Sequence, residues 1–475
     1  MKKFYITTAI PYVNARPHIG FALEAVQADV LARYRRELGE EVFFLTGTDE
    51  NSLKNVQAAE KEGIGPQMFC DRNAKIFYDL KKALNLSFDE FIRTTEKRHF
   101  LGAQKLWSAC RQEDIYKKKY KGLYCVGCET FYEEKELIQG KCPEHQTAPE
   151  VIEEENYFFK LSRYQEKLFK LIESDEYKII PSTRKNEVLS FIKMGLKDFS
   201  ISRSKERAHG WGVPVPGDES QIMYVWFDAL ANYLTALDYN KEGKLYKNYW
   251  PADVHVIGKG VIRFHAVYWP AMLLSAGLPL PKELFVHGYI TSGGEKMSKS
   301  LGNVINPFQL VEKYGADAVR YFLLKYVHPF EDSDFTIEKF EEVYNADLAN
   351  GLGNLVSRTA NLIEKNFDDK IDIGNDREFN LEEVDKSIED YQFNVAFQII
   401  NHSISLLDAY IDEEKPWELI KKDKDQAKRV LSRLTDRILI IAKKLKPFLP
   451  QTAEKILKQF TARKIKKGES LFPRI

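Results

Sequence analysis

The sequence predicts an α/β protein: a doubly wound parallel sheet split by a cysteine-bearing insertion, followed by an α-helical bundle. Three observations carry this expectation. Residues 1–116 alternate β-branched apolar runs with helix-periodic segments; clustered cysteines then sit between Lys-rich and Gly/Pro-rich breaks; and beyond Asp334 strand character gives way to successive amphipathic helices. At 475 residues the chain is long enough for about three domains, each able to bury a core.

The elements follow in order. Phe4 to Ile10 reads as a buried strand, and Pro11 to Pro17, with Asn14, as a turn-rich break. His18-Ile19-Gly20 opens a helix whose apolar positions Leu23, Val26, Val30, Tyr34 and Leu38 recur at three- and four-residue spacing, with Gly39 as its stop. His18 therefore lies at a helix N-terminus, where free N–H groups and the dipole favour an anion. A plain capping role is the alternative. Val42 to Leu45 forms a second apolar strand and places Asp49 at its C-terminal end, where a carboxylate can meet an ammonium group.

Lys117 to Gly122 marks a change, and an insertion is expected over 117–217, closing in Trp211-Gly212-Val213-Pro214-Val215-Pro216-Gly217. The sheet domain resumes over 218–290, its last strand including His287 to Ile290. A loop region follows over 291–335, and helices fill 336–475, for example Leu348 to Phe367 and Val384 to Leu407.

Within the insertion, Cys125-x2-Cys128 and Cys142-x2-His145 form two knuckle-like pairs separated by a polar excursion. Three thiols and an imidazole suit tetrahedral Zn²⁺, and four protein ligands leave no position for a reactive water, so the expected zinc is structural. Reduced, unmetallated cysteines are the alternative. Cys70 and Cys110 lack a partner pattern and are expected to be buried thiols. The five cysteines are an odd number, three of them clustered, which argues against a disulfide scaffold.

With 70 basic and 70 acidic residues the molecule is neutral overall, which gives no global argument for a nucleic-acid partner. Lys443 to Arg474 is locally basic, opposed only by Glu454 and Glu469, and suits either a phosphate backbone or a solvated helix face. No apolar run approaches the ~20 residues that span a bilayer, and Met1-Lys2-Lys3 leads straight into the first strand rather than into a signal segment. The expectation is a cytoplasmic protein without a membrane partner.

Gly293-Gly294-Glu295-Lys296-Met297-Ser298-Lys299-Ser300 places two lysines on a glycine-hinged, hydroxyl-rich loop. Lysine offers a compact mobile charge suited to polyphosphate. An exposed lysine-rich turn is the blander reading.

The strand, His18-Ile19-Gly20 at a helix start and the distant Lys-Met-Ser-Lys-Ser loop together resemble the two signatures of class I aminoacyl-tRNA synthetases. A closer resemblance, to the methionyl-tRNA synthetase family, runs through Ala9-Ile10-Pro11-Tyr12-Val13-Asn14, Thr46-Gly47-Thr48-Asp49-Glu50, Tyr224-Val225-Trp226-Phe227-Asp228-Ala229, His255-Val256-Ile257-Gly258-Lys259, Phe264-His265 and Trp269-Pro270-Ala271-Met272. It implies a Rossmann-like catalytic domain with a zinc-containing connective insertion and a helical anticodon-binding domain. The implied reaction activates methionine with ATP to methionyl-adenylate and transfers it to the 3′ end of tRNA(Met), with Mg²⁺ accompanying ATP. No side-chain nucleophile is needed; the protein aligns two anions and stabilises charge on the transferring phosphorus.

Carried onto this chain, the resemblance implies His18, Lys296 and Lys299 as catalytic groups, with Gly20, Gly258, Met297, Ser298 and Ser300 completing the ATP site. It implies Ile10, Tyr12, Asp49, Trp226, Ala229, Tyr233, Val261, Phe264, His265 and Trp269 for methionine, where aromatic rings suit a thioether. Asn354, Arg358 and Trp417 are implied for the anticodon; Asn354 and Arg358, four apart, share a helix face, and stacking plus edge hydrogen bonds suit splayed bases. The alternative there is that Trp417 packs in the bundle and Arg358 pairs with an acidic neighbour.

The chain departs from the family pattern twice. Phe21 stands where the first signature ends in a second histidine, and Asn51-Ser52 replaces a His-Gly pair. A non-catalytic, tRNA-binding paralogue is the alternative these departures motivate. A synthetase for branched aliphatic amino acids fits less well, because the insertion is short. The resemblance also implies a monomer, since the chain ends where the family's catalytic body ends.

Overall fold

The computed structural model describes residues 1–475 apart from 128–129, 144–145, 298–301, 368–370, 372–373 and 375–378, with Thr130 and Lys296 described by backbone alone. The chain divides into two compact units whose segments interleave: Met1–Pro17, Gly39–Lys81 and Ser87–His287 form the first, and His18–Leu38, Lys82–Leu86 and Gly288–Ile475 the second.

The first unit is organised by a six-stranded sheet of β1 (Lys3–Thr8), β2 (Glu41–Thr48), β3 (Glu90–Arg93), β4 (Lys178–Ile180), β5 (Val254–Gly258) and β6 (Glu283–His287). Its order is β3-β2-β1-β5-β6-β4, with every pairing parallel. The central strands, Phe4-Tyr5-Ile6, Phe44-Leu45 and Leu284-Phe285-Val286 among them, are buried and nearly continuous in apolar residues, as a parallel sheet covered on both faces requires. The order reverses between β1 and β5. In an open α/β sheet the crevice beyond the strand C-termini at such a switch point is where ligands bind, so the residues after Thr8 and at Gly258 are the ones the topology puts forward.

The stretch expected as one insertion is built differently. An antiparallel sheet orders strands Thr130–Tyr132, Ile115–Cys125, Glu150–Phe159 and Phe199–Ser200, and a second small sheet joins Pro214–Val215, Asp218–Met223 and Ser202–Ser204. Between Glu150–Phe159 and Phe199–Ser200 the chain returns to the parallel sheet, where β4 pairs with β6 at the edge. Buried Tyr177 and Ile179 account for this return: the Tyr177 hydroxyl donates to the His265 carbonyl at 2.8 Å, and both side chains join the main apolar core.

In the second unit, helix Ile19–Glu37 stands with a small three-stranded sheet (Ile290–Ser292, Glu295–Lys296, Ser333–Phe335) and a run of helices from Pro307–Tyr314 to Pro450–Phe460. The helix expected from Leu348 begins inside a π-helical stretch, Tyr344–Gly353, before Asn354–Asn366 turns regular. The helix expected over Val384–Leu407 is two, Glu382–Glu389 and Phe393–Glu414. Tyr391 takes φ +60° at the break, and the Gln392 N–H turns back to the Ser387 carbonyl. Apolar spacing is continuous across this break, so periodicity alone did not reveal it. No helix among the described residues is long and apolar enough to cross a membrane.

Candidate active site

At the C-terminal end of β2, Asp49 is almost fully buried and forms a parallel bridge with Tyr12, its N–H donating to the Pro11 carbonyl at 2.8 Å. Asn55, in helix Leu53–Lys61, holds the Asp49 carbonyl at 2.9 Å, and Lys54 lies 4.6 Å from the Tyr12 ring centre. Tyr12 meets Trp226 edge-on at 6.5 Å, and Trp226 stacks on Phe264 with centroids 3.6 Å apart and planes 7° from parallel. Phe264 opens a π-helical turn, Phe264–Tyr268, a distortion often found at functional sites. Buried Ala229 lies on helix Val225–Leu230 with Trp226, while Ile10, Val261 and Phe264 line the core edge half-buried.

A hydrogen-bonded chain continues this aromatic group inward. The Tyr233 hydroxyl meets His265 Nε2 at 2.7 Å, and His265 Nδ1 lies 3.0 Å from the Val261 carbonyl. A carbonyl only accepts, so the proton sits on Nδ1, and Nε2 accepts from Tyr233. Trp269 Nε1 donates to His255 Nε2 at 3.3 Å, which leaves His255 Nδ1–H for the Thr7 hydroxyl at 2.7 Å. Burial pushes His265 down to about 4 and His255 well below its ordinary value. Both rings are neutral, and the group contributes no cation to compete for Asp49. The resemblance placed Tyr12, Asp49, Trp226, Phe264, Tyr233, His265 and Trp269 in one site, and the structure brings them into these two linked clusters.

Sequence reading assigned no role to the layer behind them. Asn51 Nδ2 donates to Asp228 Oδ2 at 2.8 Å and to the Thr94 carbonyl at 2.9 Å, while the other Asp228 oxygen takes His99 Nε2 at 2.5 Å and His99 Nδ1 meets the Thr235 hydroxyl at 2.8 Å. Asn51 thus ties the segment holding Asp49 to the helix holding Trp226 and Ala229. Ser52 caps helix Leu53–Lys61. His99 and Asp228 are far apart in the chain, so no local spacing signals their pairing.

In the second unit, His18 is the N-cap of helix Ile19–Glu37, and its Nδ1 accepts the Gly20 N–H at 3.0 Å. That bond leaves the proton on Nε2. A Cβ on Gly20 would lie 2.9 Å from His18 Cε1, so a side chain there would force the imidazole to shift, and Met297 Cε lies 3.9 Å from the same point. Surrounding protein lowers the His18 pKa by desolvation. The ring is a neutral donor beside the helix's own free N–H groups. Lys296 is paired through its backbone with Thr291. Its side chain, with Ser298, Lys299 and Ser300, lies outside the described residues.

Cys125 and Cys142 are both buried, at the end of strand Ile115–Cys125 and beside a turn in which Cys142 exchanges backbone hydrogen bonds with Gln146 and Thr147. Cys128 and His145 lie outside the described residues, and no cluster of three or more metal-ligating side chains occurs among the described ones. Cys70 and Cys110 are buried thiols, as expected; burial pushes Cys110 up to about 12.

In the helical region Asn354 is exposed at the start of helix Asn354–Asn366. Arg358, one turn on, donates to Asp412 at 3.1 Å, and its guanidinium lies 5.7 Å from the ring centre of Trp417, itself 38% exposed. Arg358 thus has the acidic neighbour of the blander reading, while Trp417 is partly exposed. Asp408, one turn before Asp412, is raised to about 6 by burial despite Arg358 and had no part in the sequence reading.

The family model for class I tRNA synthetases (M) matches residues 4–150 and 145–360, and that for the anticodon-binding domain of tRNA ligases matches 380–474. The chain belongs to the methionyl-tRNA synthetase family. It is 45% identical over 472 residues to a methionine–tRNA ligase of Brucella suis, covering 96% of this chain and 91% of that one, and 42% identical over 519 residues to the ligase of Bacillus subtilis, covering 99% and 78%. Among solved structures, Mycobacterium tuberculosis methionyl-tRNA synthetase in complex with methionyl-adenylate is 40% identical with a TM-score of 0.92 over 97% of this chain and 94% of that one. The apo form of the same synthetase gives 36% and 0.86 over 100% and 98%. This family member is a ligase that joins methionine to tRNA with ATP as substrate. The non-catalytic alternative is not favoured.

Proposed function

We propose that methionine's ammonium is held by Asp49 and its thioether by the Tyr12, Trp226, Phe264 and Tyr233 rings, lined further by Ile10, Ala229, Val261, His265 and Trp269. The observation that carries this is the buried Asp49, whose backbone bridges Tyr12, beside an aromatic cluster whose two histidines are neutral. An uncharged, polarizable wall favours a thioether and excludes charged side chains.

The methionine carboxylate oxygen attacks the α-phosphorus of ATP as the bond to pyrophosphate breaks, and a terminal ribose hydroxyl of tRNA then attacks the activated carbonyl, releasing AMP. His18 Nε2–H donates to a phosphate oxygen. Lys296 and Lys299 neutralise the departing pyrophosphate, and Gly20, Gly258, Met297, Ser298 and Ser300 serve ATP binding. Mg²⁺ would arrive with ATP and supply charge to its phosphates. Structural Zn²⁺ on Cys125, Cys128, Cys142 and His145 is supported by the burial of both described thiols. Asn354, Arg358 and Trp417 read the anticodon, and the enzyme acts as a cytoplasmic monomer, which sedimentation equilibrium tests.

Methionine-dependent ATP–pyrophosphate exchange, run with leucine, isoleucine, valine and cysteine in parallel, tests the substrate assignment. Exchange with methionine alone, abolished in Lys299→Ala and Asp49→Ala, is the expected result; equal exchange with a branched aliphatic amino acid would refute it.

A further inference from the structure

The lysine loop leaves a small sheet of its own. Strands Ile290–Ser292 and Glu295–Lys296 form a hairpin, and strand Ser333–Phe335 runs parallel along the other edge with Thr291 opposite Asp334. Gly293 and Gly294 turn the hairpin at φ +63° and +79°. A two-residue turn of this hand needs positive φ at both positions, which glycine reaches freely but does not by itself select. Asp334 supplies the restraint: its Oδ1 accepts the Gly294 N–H at 2.8 Å and the Thr291 hydroxyl at 2.6 Å. The neighbouring Asp332 accepts the Tyr289 N–H at 2.9 Å, so one short acidic segment holds both ends of 289–294. Asp334 is exposed, and its carboxyl is kept below the ordinary range by the Thr291 hydroxyl and the Gly294 amide. Packing therefore does not explain it.

We propose that Asp334 is a positioning residue for the signature lysines: by fixing the Gly293-Gly294 turn it sets where the backbone of Lys296 emerges, and with it the alignment of Lys296 and Lys299 on the polyphosphate of ATP. The proposal rests on the role given to these lysines above. Geometry and charge make opposite demands here. A carboxylate beside a polyphosphate site repels the substrate, so removing its charge speeds the reaction if electrostatics dominates and slows it if the turn's geometry does.

Single-turnover formation of methionyl-adenylate by rapid quench separates the two, using the whole enzyme and Asp334→Ala, Asp334→Asn, Thr291→Val and Lys299→Ala variants. Asparagine keeps the accepting oxygen and loses the charge. The expected result is a rate constant lowered roughly tenfold in Asp334→Ala, with burst amplitude and methionine KM unchanged. Asp334→Asn restores most of the rate, and Thr291→Val falls between. A wild-type or faster Asp334→Ala overturns the proposal, as does an equal loss in the alanine and asparagine variants. A lowered burst amplitude at an unchanged rate constant also overturns it, because that is the mark of fewer folded molecules. A wild-type rate in Lys299→Ala would instead remove the reading beneath it.

Discussion

Arg320 reaches Asp29 at 2.7 Å with neither side chain exposed. The same guanidinium donates to the carbonyls of Leu84, Pro447 and Phe448 at 3.2, 2.9 and 2.6 Å, and Arg33 adds a second cation to Asp29 at 2.7 Å. One side chain thus ties the helix that His18 caps to the 82–86 segment, helix Ala316–Lys325 and the turn after Lys424–Leu445. Arg320→Met takes this donor from the Leu84, Pro447 and Phe448 carbonyls and leaves the buried Asp29 with Arg33 as its cation. A loss of about 3–5 kcal/mol in the second unit is expected, read from the urea midpoint. Arg320→Lys falls between, because a point charge cannot reproduce the planar fork.

His18 acts through one tautomer. Alanine there removes a phosphate donor, and adenylate formation should fall by ~10²- to 10³-fold with methionine affinity little changed. Its lowered pKa keeps the ring neutral to below the ordinary histidine range. Protonation would take Nδ1 away from the Gly20 amide, so the acid limb of the exchange rate, where His18 controls it, should lie below pH 6.5.

The buried His265 makes stability pH-dependent. Its folded pKa of about 4 lies below the unfolded value, so in acid the unfolded chain binds the extra proton. Stability is full above about pH 6.5 and is lost as pH falls towards 4, by roughly 3 kcal/mol from this group. Urea midpoints measured across that window should fall with acid, and His265→Gln should flatten the slope.

Asn51→Asp would set a second carboxylate against Asp228. The repulsion should raise the methionine KM and lower the melting temperature, whereas Asn51→His, which retains a donor for Asp228, should remain active. Asn51→Ala strands a buried carboxylate oxygen and should cost about 1–3 kcal/mol. Thermal melts and exchange kinetics on the three variants check the order.

Trp417→Ala should cost about 1–3 kcal/mol of tRNA binding through lost stacking, and Arg358→Ala a similar amount. Neither should change pyrophosphate exchange without tRNA. A fall in exchange matching the fall in aminoacylation would show that these residues support the fold rather than the anticodon.

Phe4 to Ile10, Val42 to Leu45 and the helix opened by His18 were legible because each signal is local: β-branched runs bury on both faces of a parallel sheet, and three- and four-residue apolar spacing makes one helix face. The grouping of Asp49, Trp226, Phe264 and His265 came from the family resemblance carried by motifs in their order, not from periodicity or spacing. Strand β4 was not legible, since its three residues join the sheet through contacts of Tyr177 and Ile179 with distant elements. The break at Tyr391 was hidden because a single positive φ leaves apolar periodicity intact. Only tertiary structure decided that Asn51 serves Asp228, that His255 and His265 are neutral in defined tautomers, that Asp334 holds the glycine turn, and that Arg320 meets Asp29. Each of these depends on desolvation or on hydrogen bonds between residues far apart in sequence, and that geometry exists only once the chain has folded.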